Sequence, residues 1–170
     1  GKILGLWNDD MQVDSATPDK EYFLALDQTP FYAESGGQVG DQGEFSGSSG
    51  SGQILDCIKQ GKIFLHTIKL DEGTVKSGDR LKLAVASDKR ASAASNHSAT
   101  HLMHAALKHV LGSHVEQKGS LVDASKLRFD FSHPKAVTKD EIKQIELLVN
   151  QHTLNNAEVK TELMKLDDAI

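Results

Sequence analysis

The stretch NHSATHLMHAALK, residues 96–108, places three histidines within one predicted helix. Residues 91–111 contain no Gly or Pro and are rich in Ala and Leu, so they favour an α-helix of about five turns. Apolar side chains recur along it three or four residues apart, at Ala99, Leu102, Met103, Ala106, Leu107 and Val110. This spacing predicts one buried face on the helix.

The histidines fall on the opposite face of this helix. At about 100° per residue, His97, His101, His104 and Lys108 form a nearly straight polar line. His97 and His101 are one turn apart, so both imidazoles can reach one ion, which suits zinc. His104 lies about 10 Å along the helix from His97, too far to share that ion. The spacing alone is weak evidence for a metal site and favours a solvated polar face. Ser98 stands where a zinc protease motif needs Glu, which excludes that class.

The composition is that of an ordinary globular protein with one domain or two small ones. The 170 residues are 38% hydrophobic and 25% charged. No stretch approaches the ~20 apolar residues of a membrane span, and no secretory signal opens the chain. The single cysteine, Cys57, cannot form an internal disulfide, which favours a cytoplasmic protein. The first residue is Gly, so we expect a piece of a longer protein.

The net charge of −5 gives no general sign of nucleic-acid binding, but the charge is uneven. Residues 1–88 hold 8 Lys and Arg against 14 Asp and Glu, and residues 89–135 hold 7 against 3. The positive excess lies beside the histidines, where it could attract an anionic substrate. An excess of this size is also typical of a solvated surface.

Residues 1–88 predict β-structure. Turn residues separate five short runs rich in β-branched and aromatic residues, which cover residues 3–7, 21–26, 53–58, 62–68 and 80–85. With no helix between them, these runs predict an antiparallel barrel or a compact sandwich. The Ser- and Gly-rich residues 46–52 predict a flexible loop.

A second Gly-rich stretch, ESGGQVGDQG, covers residues 34–43. Glycine lets a backbone turn tightly or approach a ligand closely. The stretch is neither a Walker loop nor a dinucleotide-binding fingerprint, because no Gly-Lys-Ser/Thr and no helix follow it. A bulged hairpin is the favoured interpretation.

Residues 89–170 predict an α+β arrangement after the histidine helix. Gly112 is the expected stop signal of that helix. Residues 113–122 and 126–131 resemble strands, and the second run alternates strictly between polar and apolar residues. Residues 159–164 predict a last strand, and residues 167–170 predict the start of another helix.

A second long helix is predicted between these strands. TKDE, residues 138–141, has the pattern of a capping box that opens a helix. The 3.6-residue period puts Ile142, Ile145, Val149 and His152 on its buried side, with Leu148 adjacent.

Four stretches, in order, resemble the alanyl-tRNA synthetase family. They are SGGQVGDQG (35–43), NHSATHLMH (96–104), QKGSLV (117–122) and RFDFSH (128–133). The resemblance covers nearly the whole chain and follows the bacterial form. It implies a small antiparallel barrel of the translation-factor kind over residues 1–88. Residues 89–170 would be the first part of an editing domain shared with threonyl-tRNA synthetase and with free-standing editing proteins.

The resemblance implies an enzyme that hydrolyses the ester of tRNA(Ala) mischarged with serine or glycine. His97 and His101 match the half of its zinc site that comes from a His-x-x-x-His helix. The remaining Cys and His, in a Cys-Gly-Gly-Thr-His stretch, are expected downstream of Ile170. The editing domain is therefore expected to be incomplete in this chain, which would bind zinc poorly, hydrolyse little, and leave the polar line of histidines open to solvent.

Two residues are candidates for catalysis. Gln117 matches a residue that lines the family's editing pocket. As a neutral amide it could orient a water molecule or the α-amino group of the substrate, but it cannot act as a base. Thr100 could bind a serine hydroxyl or cap its own helix backbone, and the sequence favours neither.

Five further residues are candidates for binding the substrate. Lys108, Lys118 and Arg128 could contact phosphates near the 3′ end of the tRNA, although each also fits an ordinary surface charge. Gly36 and Gly37 could shape the substrate pocket from the Gly-rich stretch, or they could serve only a structural hairpin.

The expected partners are the 3′ acceptor end of tRNA(Ala) carrying Ser or Gly and the other domains of the parent synthetase. ATP would bind only in the aminoacylation domain, outside this chain, and neither membrane nor DNA binding is expected. Two alternatives stay open from the sequence: a free-standing trans-editing deacylase and a non-catalytic tRNA-binding module.

Overall fold

The described part of the chain, residues 1–158 and 162–165 of the computed structural model, divides into two compact units. The first unit comprises Gly1–Thr100 and Gln117–Phe131. The second comprises His101–Glu116 and Ser132–Ile170. The domain boundary expected between residues 88 and 89 stays a prediction.

Strands dominate the first half of the chain and two long helices the second. The strands are β1 (Ile3–Asn8), β2 (Met11–Val13), β3 (Ser15–Ala16), β4 (Glu21–Leu26), β5 (Gly43–Ser46), β6 (Gly50–Gln60), β7 (Ile63–Gly73), β8 (Val75–Lys76), β9 (Lys82–Val85), β10 (Gln117–Val122) and β11 (Leu127–Phe131). The helices are α1 (Ser87–Leu111) and α2 (Lys139–Leu154).

Seven strands form one antiparallel sheet in the order β2-β1-β4-β7-β6-β5-β9. Two smaller antiparallel ladders pair β3 with β8 and β10 with β11. The long hairpin β6–β7 turns at Gly61, whose φ of +60° is a conformation that side chains other than glycine rarely adopt. The antiparallel β-structure predicted for residues 1–88 is therefore confirmed, and so is a mixed α+β class for the whole. Closure of the sheet into a barrel stays a prediction.

The sheet buries one apolar core in the first unit. Leu24 on β4, Ile54 on β6 and Ile68 on β7 are almost completely buried. Burying such an aliphatic side chain contributes about 1.5–3 kcal/mol to folding. Cys57 lies in the same core. This core gives the segments around it a rigid support.

The prediction of a flexible loop over residues 46–52 is wrong. β5 ends and β6 begins within this stretch, and a tight turn joins them in which the Gly47 N–H donates to the Gly50 carbonyl (2.9 Å). A Cβ atom on Gly52 would lie only 2.7 Å from Leu70 Cα. The small residues therefore allow close strand packing, which composition alone does not distinguish from flexibility.

Helix α1 begins four residues before the predicted start and ends at the predicted place. Gly112 follows its last residue with φ +119°, and the Gly112 N–H donates to the Lys108 carbonyl (3.0 Å). This is the positive-φ helix end that glycine favours.

The two faces of α1 follow the predicted pattern only in part. Leu107 is buried on the predicted apolar face. On the polar line, His101 and Lys108 are exposed, but His97 and His104 are half-buried. The prediction that the whole polar line is open to solvent is therefore wrong, and for His97 the cause is a turn that contacts its ring.

Helix α2 opens with the predicted capping box. The Glu141 N–H donates to Thr138 Oγ1 (3.3 Å), and the Thr138 N–H donates to Glu141 Oε2 (2.8 Å). The predicted buried side is wrong at two positions. Ile145 is buried, but Ile142 is 45% exposed and His152 is exposed. The helical period shows which residues share a face, but not how much of that face is covered.

The predicted strand over residues 159–164 lies partly outside the described residues, and residues 162–165 have no regular secondary structure. The predicted helix start at residues 167–170 lies outside them. Neither of the two described helices has both the length and the apolar character needed to cross a membrane.

Candidate functional site

The Gly-rich stretch forms a tight turn in the first unit. The Ser35 N–H donates to the Gln38 carbonyl (3.1 Å) and the Gln38 N–H donates to the Ser35 carbonyl (3.0 Å). Gly36 and Gly37 occupy the two central positions with φ +60° and +82°. Positive φ at both central residues is typical of the type I′ hairpin turn. The hairpin interpretation of this stretch is therefore supported.

The turn is fixed to the end of strand β10. The Val122 N–H donates to the Gly37 carbonyl (2.7 Å), and the Val39 N–H donates to the Val122 carbonyl (3.0 Å). A Cβ on Gly37 would lie 2.9 Å from both Ser120 Cβ and the Ser120 carbonyl oxygen. Both the backbone angle and the available space therefore require glycine here. Ser120 Oγ is buried and has no hydrogen-bond partner among the described residues.

The residue that follows the two glycines contacts the first histidine of the predicted zinc pair. Gln38 is 7% exposed, and its Oε1 lies 2.9 Å from His97 Nδ1. Because an amide oxygen only accepts, Nδ1 is the donor in this hydrogen bond, and in a neutral ring Nε2 would be the nitrogen that carries the lone pair. A Cβ on Gly36 would lie 3.7 Å from His97 Cε1, an ordinary van der Waals distance. The turn thus supports the imidazole through the hydrogen bond with Gln38.

The second predicted zinc ligand, His101, lies one helical turn further along α1 and is exposed. Residues 1–158 and 162–165 contain no group of three or more His, Cys, Asp or Glu placed to hold a metal ion. Burial, and then the charges of Asp56 and Asp41, raise the pKa of the Cys57 thiol to about 12. Cys57 therefore stays a neutral thiol and is suited neither to bind zinc nor to act as a nucleophile.

The two predicted catalytic residues have different surroundings. Thr100 is 5% exposed, and its hydroxyl donates to the Asn96 carbonyl (2.9 Å), so it does bond its own helix backbone. The hydroxyl oxygen can still accept a hydrogen bond. Gln117 is exposed at the start of β10, opposite Phe131. The catalytic roles of both stay predictions.

The predicted phosphate-binding cations are exposed. Lys118 and Arg128 lie on the β10–β11 hairpin, where Arg128 Nε donates to Asp130 Oδ2 (3.1 Å). Lys108 lies in the last turn of α1. Their roles at a tRNA stay predictions.

Sequence reasoning missed an ion pair that fixes this region. Arg90, in the first turn of α1, forms an ion pair with Asp41, which is buried. Asp41 also accepts from the Tyr32 N–H (2.6 Å), and Arg90 Nη2 donates to the Pro30 carbonyl (2.6 Å). The hydrogen bond that Arg90 donates to Asp41 is the main cause of the raised pKa of Arg90. Segment 30–41, which includes Gln38, is thereby fastened to the start of the histidine helix.

Comparison of the sequence with known proteins assigns the chain to a family. The family model for "tRNA synthetases class II (A)" matches residues 1–89. The chain is 52% identical over 170 residues to an alanine–tRNA ligase of Nitrosomonas europaea, an alignment that covers 99% of this chain and 20% of the relative.

Two further relatives carry the same description. An alanine–tRNA ligase of Nitrosomonas eutropha is 50% identical over 169 residues, covering 99% of the chain and 20% of the relative. One from Rhizobium meliloti is 47% identical over 171 residues, covering 100% of the chain and 19% of the relative. The chain spans about one fifth of the length of these curated relatives. The chain belongs to the class II tRNA synthetases (A) and is similar along its length to alanine–tRNA ligases.

Proposed function

We propose that this chain is the editing region of an alanine–tRNA ligase, and that it helps to hydrolyse the ester of tRNA(Ala) mischarged with serine or glycine. The observation that carries this proposal is the hydrogen bond from His97 Nδ1 to the buried Gln38 side chain (2.9 Å). A histidine that binds a metal usually gives its other ring N–H to an oxygen acceptor, which fixes the tautomer and the orientation of the ring. A histidine on a solvated polar face has no need of such support.

In this proposal His97 and His101 would hold a zinc ion. Two imidazoles one turn apart are a suitable half of a tetrahedral donor set, and with Nδ1 of His97 donating to Gln38, Nε2 would be the ligating atom. The other ligands, a Cys and a His, would come from the parent protein beyond this chain. When bound, zinc supplies a Lewis acid that lowers the pKa of a water molecule or holds the aminoacyl group.

The other side chains would bind and position the substrate. Gln117, an exposed amide, would orient a water molecule or the α-amino group without taking a proton. The hydroxyl of Thr100 already donates to Asn96, so towards a serine substrate it would act as an acceptor. Exposed Lys108, Lys118 and Arg128 would contact tRNA phosphates.

The parent protein supplies the rest of the reaction in this proposal. Its aminoacylation domain would bind ATP and alanine, and the partner of this chain would be the 3′ acceptor end of tRNA(Ala). The cytoplasm is the compartment in which such an enzyme would work.

The test uses the full-length parent enzyme with His97→Ala or His101→Ala. Each variant should hydrolyse Ser-tRNA(Ala) at least about 100-fold more slowly and carry less zinc, because a ligand is lost. Alanine aminoacylation should be unchanged, which shows that the protein folds. His109→Ala is the matched control, since His109 is exposed in the last turn of the same helix. Wild-type rates in the His97 and His101 variants would refute the proposal, and a wild-type parent that hydrolyses nothing would favour the tRNA-binding module.

A further inference from the structure

The first unit carries an open groove of about 670 Å³ beside the turn that contacts His97. Segment 29–35 forms one wall of the groove and the β6–β7 hairpin another. Gln38 and Ala94 also line it, and Ala94 lies three residues before His97 on α1. A ligand in this groove would therefore lie next to the candidate site.

Aromatic rings and a cation line the groove. Tyr32 is 37% exposed, and its hydroxyl donates to the Ser35 carbonyl (3.1 Å), which fixes the orientation of the ring. Phe64 is half-buried, and Lys59 Nζ lies 5.6 Å from the centroid of its ring. Tyr32 is a partly exposed, planar ring on which a planar ligand could stack, and Lys59, beside Phe64, adds a positive charge to the lining of the same groove.

The wall that presents Tyr32 is rigid. The backbone N–H of Tyr32 donates to Asp41, the Asp41 N–H donates to the Tyr32 carbonyl (2.9 Å), and Arg90 forms an ion pair with Asp41. Arg90 also donates to the carbonyl of neighbouring Pro30. A ligand that stacks here would order little of the protein, so the entropy cost of binding is low.

We propose that this groove binds the unpaired terminal nucleotides of a tRNA 3′ end, with a base stacked on Tyr32 and a backbone phosphate at Lys59. Unpaired RNA is recognised by stacking on aromatic rings and by nearby cations. Glu34 also lines the groove and would repel phosphate, so we assign the phosphate contact to Lys59, the groove residue of opposite charge on the β6–β7 hairpin. The inference rests on the proposed function, in which the ester is carried by the last ribose and must reach the site of His97.

The kinetic test compares Tyr32→Ala, Tyr32→Phe and Lys59→Gln in the full-length parent enzyme. Loss of one stacking contact costs about 1–3 kcal/mol, so Tyr32→Ala should raise the KM for Ser-tRNA(Ala) hydrolysis about 5–150-fold and leave kcat within about threefold. Tyr32→Phe keeps the ring but loses the hydrogen bond that orients it, so it should raise KM less than Tyr32→Ala does. Lys59→Gln should raise KM and weaken its salt dependence. Lys62→Gln is the matched control, because Lys62 is exposed at the turn of the same hairpin and does not line the groove.

A binding test separates failure of this inference from failure of the proposed function. tRNA(Ala) with 2-aminopurine as its last base is titrated with the parent enzyme, and stacking should quench its fluorescence more in wild type than in Tyr32→Ala. If the quenching depends on Tyr32 but the parent enzyme hydrolyses no Ser-tRNA(Ala), the groove binds the tRNA 3′ end as proposed and the editing function is rejected. Hydrolysis with an unchanged KM in Tyr32→Ala, at unchanged alanine aminoacylation, would overturn the groove and leave the editing function in place.

Discussion

At the scale of single residues, the contact between Gln38 and His97 gives a structural reason for one tautomer of the histidine. We predict that Gln38→Met moves His97 away from the Nδ1–H tautomer, because thioether sulfur is a poor acceptor. Two-bond ¹H–¹⁵N spectra of ¹⁵N-histidine-labelled protein measure this directly. Zinc affinity of the parent enzyme should fall about 10–100-fold in the same variant.

Gln38→Glu is the control for this prediction, since a carboxylate keeps the oxygen acceptor and a similar length. It should retain the Nδ1–H tautomer. If Gln38→Met leaves the histidine spectra unchanged, the hydrogen bond does not set the tautomer, and the main support for a metal role of His97 is lost.

We predict that the buried side chain of His66 makes the stability of the folded protein depend on pH. It is fully buried, its Nε2 lies 2.8 Å from Thr29 Oγ1 and its Nδ1 lies 3.1 Å from the Leu24 carbonyl oxygen. Burial lowers its pKa below the ordinary 6.5. Below pH 6.5 the unfolded chain therefore takes up a proton that the folded chain resists, and stability falls as the pH falls towards the folded pKa. Well above pH 6.5, His66 is neutral in both the folded and the unfolded chain, so it does not make stability change with pH.

Urea unfolding followed by the fluorescence of Trp7, which lies in β1, measures this effect. The urea midpoint should drop between pH 7.5 and pH 5.5, and the drop should be smaller in His66→Gln, which keeps hydrogen-bonding groups without a titrating ring. An equal drop in both proteins would assign the pH dependence to other groups.

At the scale of elements, alanine substitutions in the turn at Gly36 and Gly37 can distinguish two causes of destabilisation, backbone strain and lack of space for a side chain. Both residues have positive φ, so alanine at either costs about 1–2 kcal/mol. Only Gly37 also faces an obstacle, because its Cβ would meet Ser120 at 2.9 Å. We predict that Gly37→Ala destabilises the protein clearly more than Gly36→Ala, as measured by thermal unfolding.

Gly61→Ala is the control, since Gly61 has the same positive φ with open space around it. The loss of stability caused by Gly61→Ala should match the loss caused by Gly36→Ala. Equal losses at all three positions would show that the contact of Gly37 with Ser120 can relax.

The elements that sequence predicted well are those with a strong local pattern. β4 and β11 each have two aromatic residues within a short apolar or alternating run, and α2 starts with its capping box at Thr138. Strands β2, β3 and β8 were not predicted because two or three residues show no period. In the candidate site, the sequence motifs named His97 and His101 on α1 and the two turn glycines, Gly36 and Gly37, but not the contact between the turn and the helix. The support of His97 by Gln38 comes from a residue 59 positions away, and no local pattern contains that information.

At the scale of the whole molecule, two kinds of similarity cover different parts of the chain. The family model ends at residue 89, close to the start of α1, whereas the alanine–tRNA ligases align along essentially the entire chain. For α1, which carries the histidines, and for β10, the link to the alanine–tRNA ligases therefore comes from the whole-length relatives and from the sequence motifs in these elements.

The last prediction concerns zinc binding by the 170-residue chain. Stable tetrahedral zinc sites in proteins use four ligands, and the described residues hold no group of three candidate ligands. We predict that this chain binds zinc more weakly than about 1 μM, whereas the parent enzyme binds one ion tightly. Calorimetric titration of both proteins at pH 7.5 measures this difference, with His97→Ala in the parent as the control that should remove the tight site. A one-to-one, sub-micromolar site in the 170-residue chain would show that its own side chains complete the coordination. The ligands beyond His97 and His101 would then have to be sought within these 170 residues.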